Sequence, residues 1–173
     1  MITIAVSGGF DPVHNGHIRM FREAKRRYGD RLVVILNNDN WLRTKKGYVF
    51  MPENMRAEII SELRCVDEVY ITKHIKDDPD RSVCKALEEL KPDIFANGGD
   101  RFAYNIPEKE LCNSLGILTV FNIGGEKIAS SSKLVERSGY VIEHKNDQAV
   151  LFSNDDDPQF IINNVLGLKG ELK

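Results

Sequence analysis

Apolar and polar positions alternate in blocks along most of the chain. Ile2–Val6 is a short apolar run that ends at Ser7-Gly8-Gly9, predicting a buried strand that runs into a turn. Arg31–Leu36 is a second run, bounded by polar residues. Continuous runs of this kind fit strands covered on both faces of a parallel sheet. Between them Ile18, Met20, Phe21 and Ala24 recur at helical spacing. They predict a helix from about His17 to Arg27, opened by Asn15-Gly16 and ended by Gly29-Asp30. Pro52–Leu63 predicts a second helix, with Pro52 in its first turn and Met55, Ile59, Ile60 and Leu63 apolar. Further strands are expected at Asp67–Thr72, Asp93–Ala96 and Leu118–Ile123. Further helices are expected at Arg81–Leu90 (stopped by Pro92), at Glu108–Leu115 and from Ser130 to Arg137. The stretch Asn37–Gly47 reads as a loop.

Strands that alternate with short helices as far as position 137 predict an α/β architecture: a Rossmann-like, doubly wound, parallel five-stranded sheet. In such sheets ligands bind at the carboxyl ends of the strands, where strand order reverses. The loops Gly8–His17, Asn37–Gly47, Asn97–Arg101 and Gly124–Lys133 should all open on that rim, and each carries Gly, Lys, Ser, Asp or His. Residues 1–137 are thus expected to form the domain. Residues 138–173 are expected to be a C-terminal extension packed on the domain or on a partner subunit. In that extension Tyr140–Phe152 is strand-like, Asn154–Pro158 is an acidic break and Phe160–Leu168 suits a short helix.

Composition narrows the class. The chain has 173 residues, 42% hydrophobic and 29% charged, which suits one globular domain whose core needs neither disulfide nor metal. A net charge of −2 argues against a nucleic-acid-binding face. No run of about 18 apolar residues exists to span a membrane. The N-terminus lacks the basic and apolar regions of a secretory signal. Cys65, Cys84 and Cys112 are too few and too scattered for a disulfide framework or a C-x-x-C metal site. A cytoplasmic protein working on small molecules is the expectation.

The strongest chemical signal is Gly8-Gly9-Phe10-Asp11-Pro12-Val13-His14-Asn15-Gly16-His17. Two histidines flank a glycine just after a strand and at the start of a helix. A helix N-terminus offers free N–H groups and a positive dipole end, both suited to phosphate. Gly8 and Gly9 allow close backbone approach, and Gly16 clears the space between the imidazoles. Two imidazoles aimed at one phosphate can donate hydrogen bonds to charge that develops during transfer. A zinc pair is the competing reading, but no third ligand sits at a familiar spacing. Neither a Walker P-loop nor a G-x-G-x-x-G is present.

This segment resembles the G-x-F-D-x-x-H-x-G-H signature of the cytidylyltransferase-like nucleotidyltransferases, and the resemblance runs from about Ile2 to Glu136. Lys45-Lys46-Gly47 resembles the lysine loop after the second strand, Pro52…Arg56 the P-x-x-x-R helix start, and Asn97-Gly98-Gly99-Asp100-Arg101 the K-G-G-D loop. Ser130-Ser131-Ser132 resembles the hydroxyl-rich helix start that grips a triphosphate. Asn37-Asn38-Asp39, Lys46-Gly47 and Lys91-Pro92-Asp93…Gly98-Gly99-Asp100 are most similar to heptose-1-phosphate adenylyltransferase domains. Val66-Asp67-Glu68-Val69 is shared with glycerol-3-phosphate cytidylyltransferases. The last motif lacks the arginine of those cytidylyltransferases. Asn97 replaces a lysine, and Arg101 stands where an aromatic residue is common.

The resemblance implies transfer of a nucleotidyl group from an NTP, ATP favoured over CTP, to a phosphorylated sugar or polyol. It implies His14, His17 and Lys46 as catalytic groups. Gly8, Gly9, Phe10, Gly16, Gly98, Gly99, Asp100, Ser130, Ser131 and Ser132 would bind the nucleotide. Asp11, Asn37, Asp39, Arg56 and Arg101 would bind the acceptor, with Asp11 alternatively orienting its loop. Mg²⁺ is expected to bind through the phosphates with no dedicated protein ligands, and a homodimer is expected. A silent nucleotide-binding module is the competing class. An aminoacyl-adenylate-forming domain is disfavoured by the absence of K-M-S-K-S.

Overall fold

The computed structural model describes residues 1–99, 101, 106–138, 141–145 and 148–152. Asp100, the acidic break at Asn154–Pro158 and the apolar stretch Phe160–Leu168 lie outside the described residues. The order along the chain is β1 (Thr3–Gly8), α1 (Asn15–Tyr28), β2 (Arg31–Leu36), α2 (Asp39–Lys46), α3 (Glu53–Ser61), β3 (Glu68–Ile71), α4 (Cys84–Leu90), β4 (Ile94–Gly98), α5 (Lys109–Leu115), β5 (Leu118–Ile123) and α6 (Ser131–Arg137). Two further strands, β6 (Val141–Lys145) and β7 (Gln148–Phe152), pair antiparallel as a separate ribbon.

Five strands form one sheet in the order β3-β2-β1-β4-β5, and every pairing is parallel. The chain therefore winds outward from β1 to β3, returns, and winds outward again through β4 and β5. Strand order reverses between β1 and β4. This is the doubly wound α/β sheet that the blocks of the sequence predict.

Burial explains why the strands read as unbroken apolar runs. Side chains alternate across a strand, and both faces here are covered. Ile4, Val6, Leu32, Val34, Leu36, Ile94 and Ala96 face one layer, packed with Met20, Phe21 and Ala24 of α1 and Ile60 of α3. Ala5, Ile35 and Phe95 face the other, packed with Ala86 and Leu87 of α4 and Cys112 of α5. Truncating Phe21 to alanine in so tight a layer would cost about 3–5 kcal/mol. The cysteines are free thiols. No helix among the described residues is long and apolar enough to cross a membrane.

One element differs in kind from expectation. Asn37–Gly47 is not an open loop, because Asp39–Lys46 is helical. No apolar stripe announces it, since Trp41 and Leu42 are its only large apolar residues. Its ends hold it instead. The Asn38 side chain accepts the Trp41 N–H at 3.0 Å, and Gly47, at φ 82°, closes the C-terminus by donating its N–H to Arg43 O at 2.9 Å. Leu42 then anchors the helix in the core. The other bounds move by a few residues: α4 starts at Cys84 rather than Arg81, and β4 runs on to Gly98.

Candidate active site

The carboxyl ends of β1, β4 and β5 open into a cleft of about 260 Å³. His14, Gly16, His17 and Met20 line it from the start of α1, Lys46 from the last turn of α2, and Gly98 and Gly99 from the end of β4. The segment from Ile123 to Ser132 completes the wall. Of the residues expected at the site, His14, Gly16, His17, Lys46, Gly98, Gly99, Ser130, Ser131 and Ser132 thus meet around one space.

The histidines are arranged by the helix start. His14, with extended backbone, is the N-cap of α1, and its carbonyl accepts the N–H groups of His17 and Ile18 at 2.9 and 3.2 Å. The His14 N–H donates to His17 Nδ1 at 3.3 Å, so a neutral His17 carries its proton on Nε2. The two rings stack with centroids 3.6 Å apart and an interplanar angle of 16°. The Phe10 ring meets His17 edge-on at 4.9 Å and backs it from the core. His14 Nδ1 is buried and, among the described residues, has no hydrogen-bond partner. Burial lowers the His14 pKa. A backbone hydrogen bond opposes that effect, and the charges of Lys127 and Lys46 add to it.

Two glycines are required by space. A Cβ on Gly16 would stand 3.1 Å from the His14 ring, as the sequence suggests. A Cβ on Gly99 would stand 2.3 Å from the Gly125 carbonyl oxygen, a contact that backbone atoms cannot relieve. Gly99 therefore lets the β4 and β5 loops touch.

Cations dominate the rim. Lys46 is half-buried, with Nζ 3.5 Å from Asp11 O. Burial lowers its pKa; Asp11 opposes that, while Arg56 and Lys127 reinforce it. Lys127 also lines the cleft, against Glu126 as the one carboxylate among the lining residues. Ser131 Oγ donates to Pro12 O at 2.9 Å, tying the start of α6 to the histidine loop. Among the described residues no three His, Cys, Asp or Glu side chains gather as a metal site.

Several expected ligands do other work. Arg56 is completely buried. It donates from Nε to Met51 O at 2.8 Å, from Nη1 to Gly9 O at 2.6 Å and Asn37 O at 2.8 Å, and from Nη2 to Asp39 Oδ1 at 2.6 Å. Four of its five N–H groups are thus engaged by three segments, with Asp39 as its ion-pair partner, and neither Arg56 nor Asp39 lines the cleft. Asp11 is also buried and accepts the N–H groups of Phe50 and Met51 at 2.8 and 2.7 Å, so it orients the loop. Asn37 is 3% exposed and does not line the cleft. Gly8 and Gly9 do not line the cleft, and a Cβ on them would stand 2.8 Å from the Phe10 ring or from Leu42 Cδ2. Arg101 is exposed and away from the cleft lining. Sequence reading missed Met20, Ile123, Lys127 and Ile128 as lining residues. Lys127 falls inside the Gly124–Lys133 loop singled out above, but nothing local distinguishes it from other loop lysines.

The cytidylyltransferase-like family model matches residues 5–156. An FAD synthase of Archaeoglobus profundus is 32% identical over 152 residues, spanning 84% of this chain and 91% of that protein. The bifunctional protein HldE of Streptomyces coelicolor is 36% identical over 115 residues, 65% of this chain but 23% of that protein. The crystal structure of a lipopolysaccharide core biosynthesis protein from Thermoplasma volcanium superposes with a TM-score of 0.59 at 33% identity, covering 73% of this chain and 99% of that one. The protein belongs to the cytidylyltransferase-like family of nucleotidyltransferases.

Proposed function

We propose that this enzyme transfers adenylate from ATP to a phosphate monoester. The observation that carries the reading is the convergence of two stacked imidazoles, Lys46, Lys127 and the hydroxyls of Ser130, Ser131 and Ser132 on one cleft beside the strand-order reversal. That lining suits a polyanion with a reacting phosphorus at its centre. An oxygen of the acceptor phosphate attacks the α-phosphorus in line. The new P–O bond forms as the bond to the β-phosphate bridging oxygen breaks, and pyrophosphate leaves with that electron pair. Positioning and charge stabilisation carry such a reaction. His14 and His17 donate to oxygens on the α- and β-phosphates. Lys46 and Lys127 offset charge along the triphosphate, and the serines hold its β- and γ-phosphates. Mg²⁺ suits this donor set as an ion brought in on the phosphates, where it would supply further charge neutralisation.

The choice of acceptor is supported by which relatives match along most of their length. The FAD synthases do, at 91% of the Archaeoglobus protein and 98% of that of Thermoplasma volcanium. FMN, a flat phosphate monoester, is therefore the leading acceptor and FAD the product. A sugar phosphate is the second reading, supported by the HldE match at 36% identity.

Pyrophosphate release tests both. ATP or CTP is offered with Mg²⁺ against FMN and a set of sugar 1-phosphates. Release with ATP and FMN is expected. Release with ATP and a sugar phosphate alone selects the second reading. Turnover with CTP only overturns the adenylyl assignment, and nucleotide binding without turnover on any pair makes the chain a binding module.

A further inference from the structure

Tyr48 lies in none of the motifs above, yet it touches two of the groups assigned to the triphosphate. It follows α2 directly after Gly47 and is 7% exposed. The Lys46 ammonium sits 5.8 Å from the centroid of its ring. Its hydroxyl donates to Ser132 Oγ at 3.4 Å. The ring packs with Val135 of α6 and with Phe50. Phe50 in turn donates its N–H to Asp11 Oδ2 at 2.8 Å, and Asp11 O receives Lys46 Nζ. The contacts close a circuit from Lys46 through Tyr48, Phe50 and Asp11 back to Lys46, with Ser132 as a branch onto α6.

We propose that Tyr48 is a positioning residue for the triphosphate end of the nucleotide, seating the Lys46 ammonium with its ring and holding Ser132 with its hydroxyl. This rests on the reading of the cleft as an NTP site. A desolvated ammonium gains from a ring face within about 6 Å. Here the gain opposes a real cost, because burial, Arg56 and Lys127 all disfavour the charged lysine, with Asp11 as the countercharge. The Tyr48 phenol is protonated at neutral pH and donates to Ser132, and burial raises its pKa further. A lysine on a flexible stem and a serine on a separate helix would otherwise have independent positions. One rigid ring between them sets both.

The test is a set of calorimetric affinities for Mg²⁺–ATP, inorganic tripolyphosphate and AMP, measured on wild type, Tyr48→Phe and Tyr48→Leu. Thermal melting confirms that each variant is folded. Tyr48→Leu should weaken ATP and tripolyphosphate about tenfold while AMP stays within about twofold. Tyr48→Phe keeps the ring and should lose only about threefold for ATP. Adding Ser132→Ala to Tyr48→Phe should then cost less than Ser132→Ala costs in wild type. A packing role alone would weaken ATP and AMP together. That result, or ATP affinity unchanged in both variants, overturns the proposal. If Tyr48→Leu fails to fold, the Tyr48→Phe series decides by the same split between ATP and AMP. Wild type that binds none of the three ligands refutes the NTP reading itself; wild type that binds with an unmoved ATP-to-AMP ratio in the variants refutes only the role of Tyr48.

Discussion

His14 shows how a single residue joins helix capping to phosphate chemistry. It ends the loop, caps α1, stacks on His17 and keeps a buried Nδ1 without a partner among the described residues. Burial, Lys127 and Lys46 hold its pKa below the ordinary 6.5. The unfolded chain therefore binds a proton at this position before the folded chain does. Where the unfolded state binds more protons, stability rises with pH. From this residue there is no effect above the unfolded value; below it, stability falls until the folded form also protonates. Urea denaturation of unliganded protein from about pH 5.5 to 7.5 should show this acid-side loss, and His14→Asn should flatten the curve in that window. An equally steep curve in the variant would remove His14 as its source. The placement of the two histidines on the cleft was legible in the sequence because everything that shapes it is contiguous: strand end, glycine, helix start. Lys127 was not legible, because only the fold of its loop separates it from any other surface lysine.

Between elements the informative case is Arg56. Its neighbours lie at Gly9, Asn37, Asp39 and Met51, on segments that follow β1 and β2 or precede α3. The sequence spacing P-x-x-x-R suggested a phosphate ligand, and nothing local contradicts that. The structure instead gives it four protein partners, brought together only by the sheet. Arg56 braces α3 against the loops that carry Asp11 and α2. Removing one member of a buried pair leaves the other uncompensated, so Arg56→Leu should cost about 3 kcal/mol, read from the urea midpoint. A change below about 0.5 kcal/mol, in the range of ordinary surface substitutions, would contradict the brace. The short helix α2 was hidden for a related reason. It has caps and one deep anchor, Leu42, but no apolar stripe, so periodicity cannot find it. Its last turn nevertheless delivers Lys46 to the cleft.

For the whole molecule, the parallel sheet places the ends of β1, β4 and β5 on one edge, and the reversal between β1 and β4 opens the cleft there. That much follows from alternating apolar blocks, since a strand buried on both faces needs helices on both sides. The division of labour around the edge does not follow from pattern. One group of polar motifs lines the space, while Asp11, Asp39 and Arg56 lie outside the lining in a frame centred on the buried Arg56. That space is the proposed seat of nucleotidyl transfer, with His17 Nε2–H donating to charge that appears on the phosphates. The most direct test is pyrophosphate release per adenylate transferred from ATP, wild type against His17→Ala, using the acceptor that the panel identifies. Wild type should release one pyrophosphate for each adenylate transferred. His17→Ala should melt as wild type does yet lose roughly 10²–10³ in kcat, the scale seen when one transition-state donor is removed. A folded His17→Ala enzyme within about threefold of wild type, far inside that range, would contradict the account.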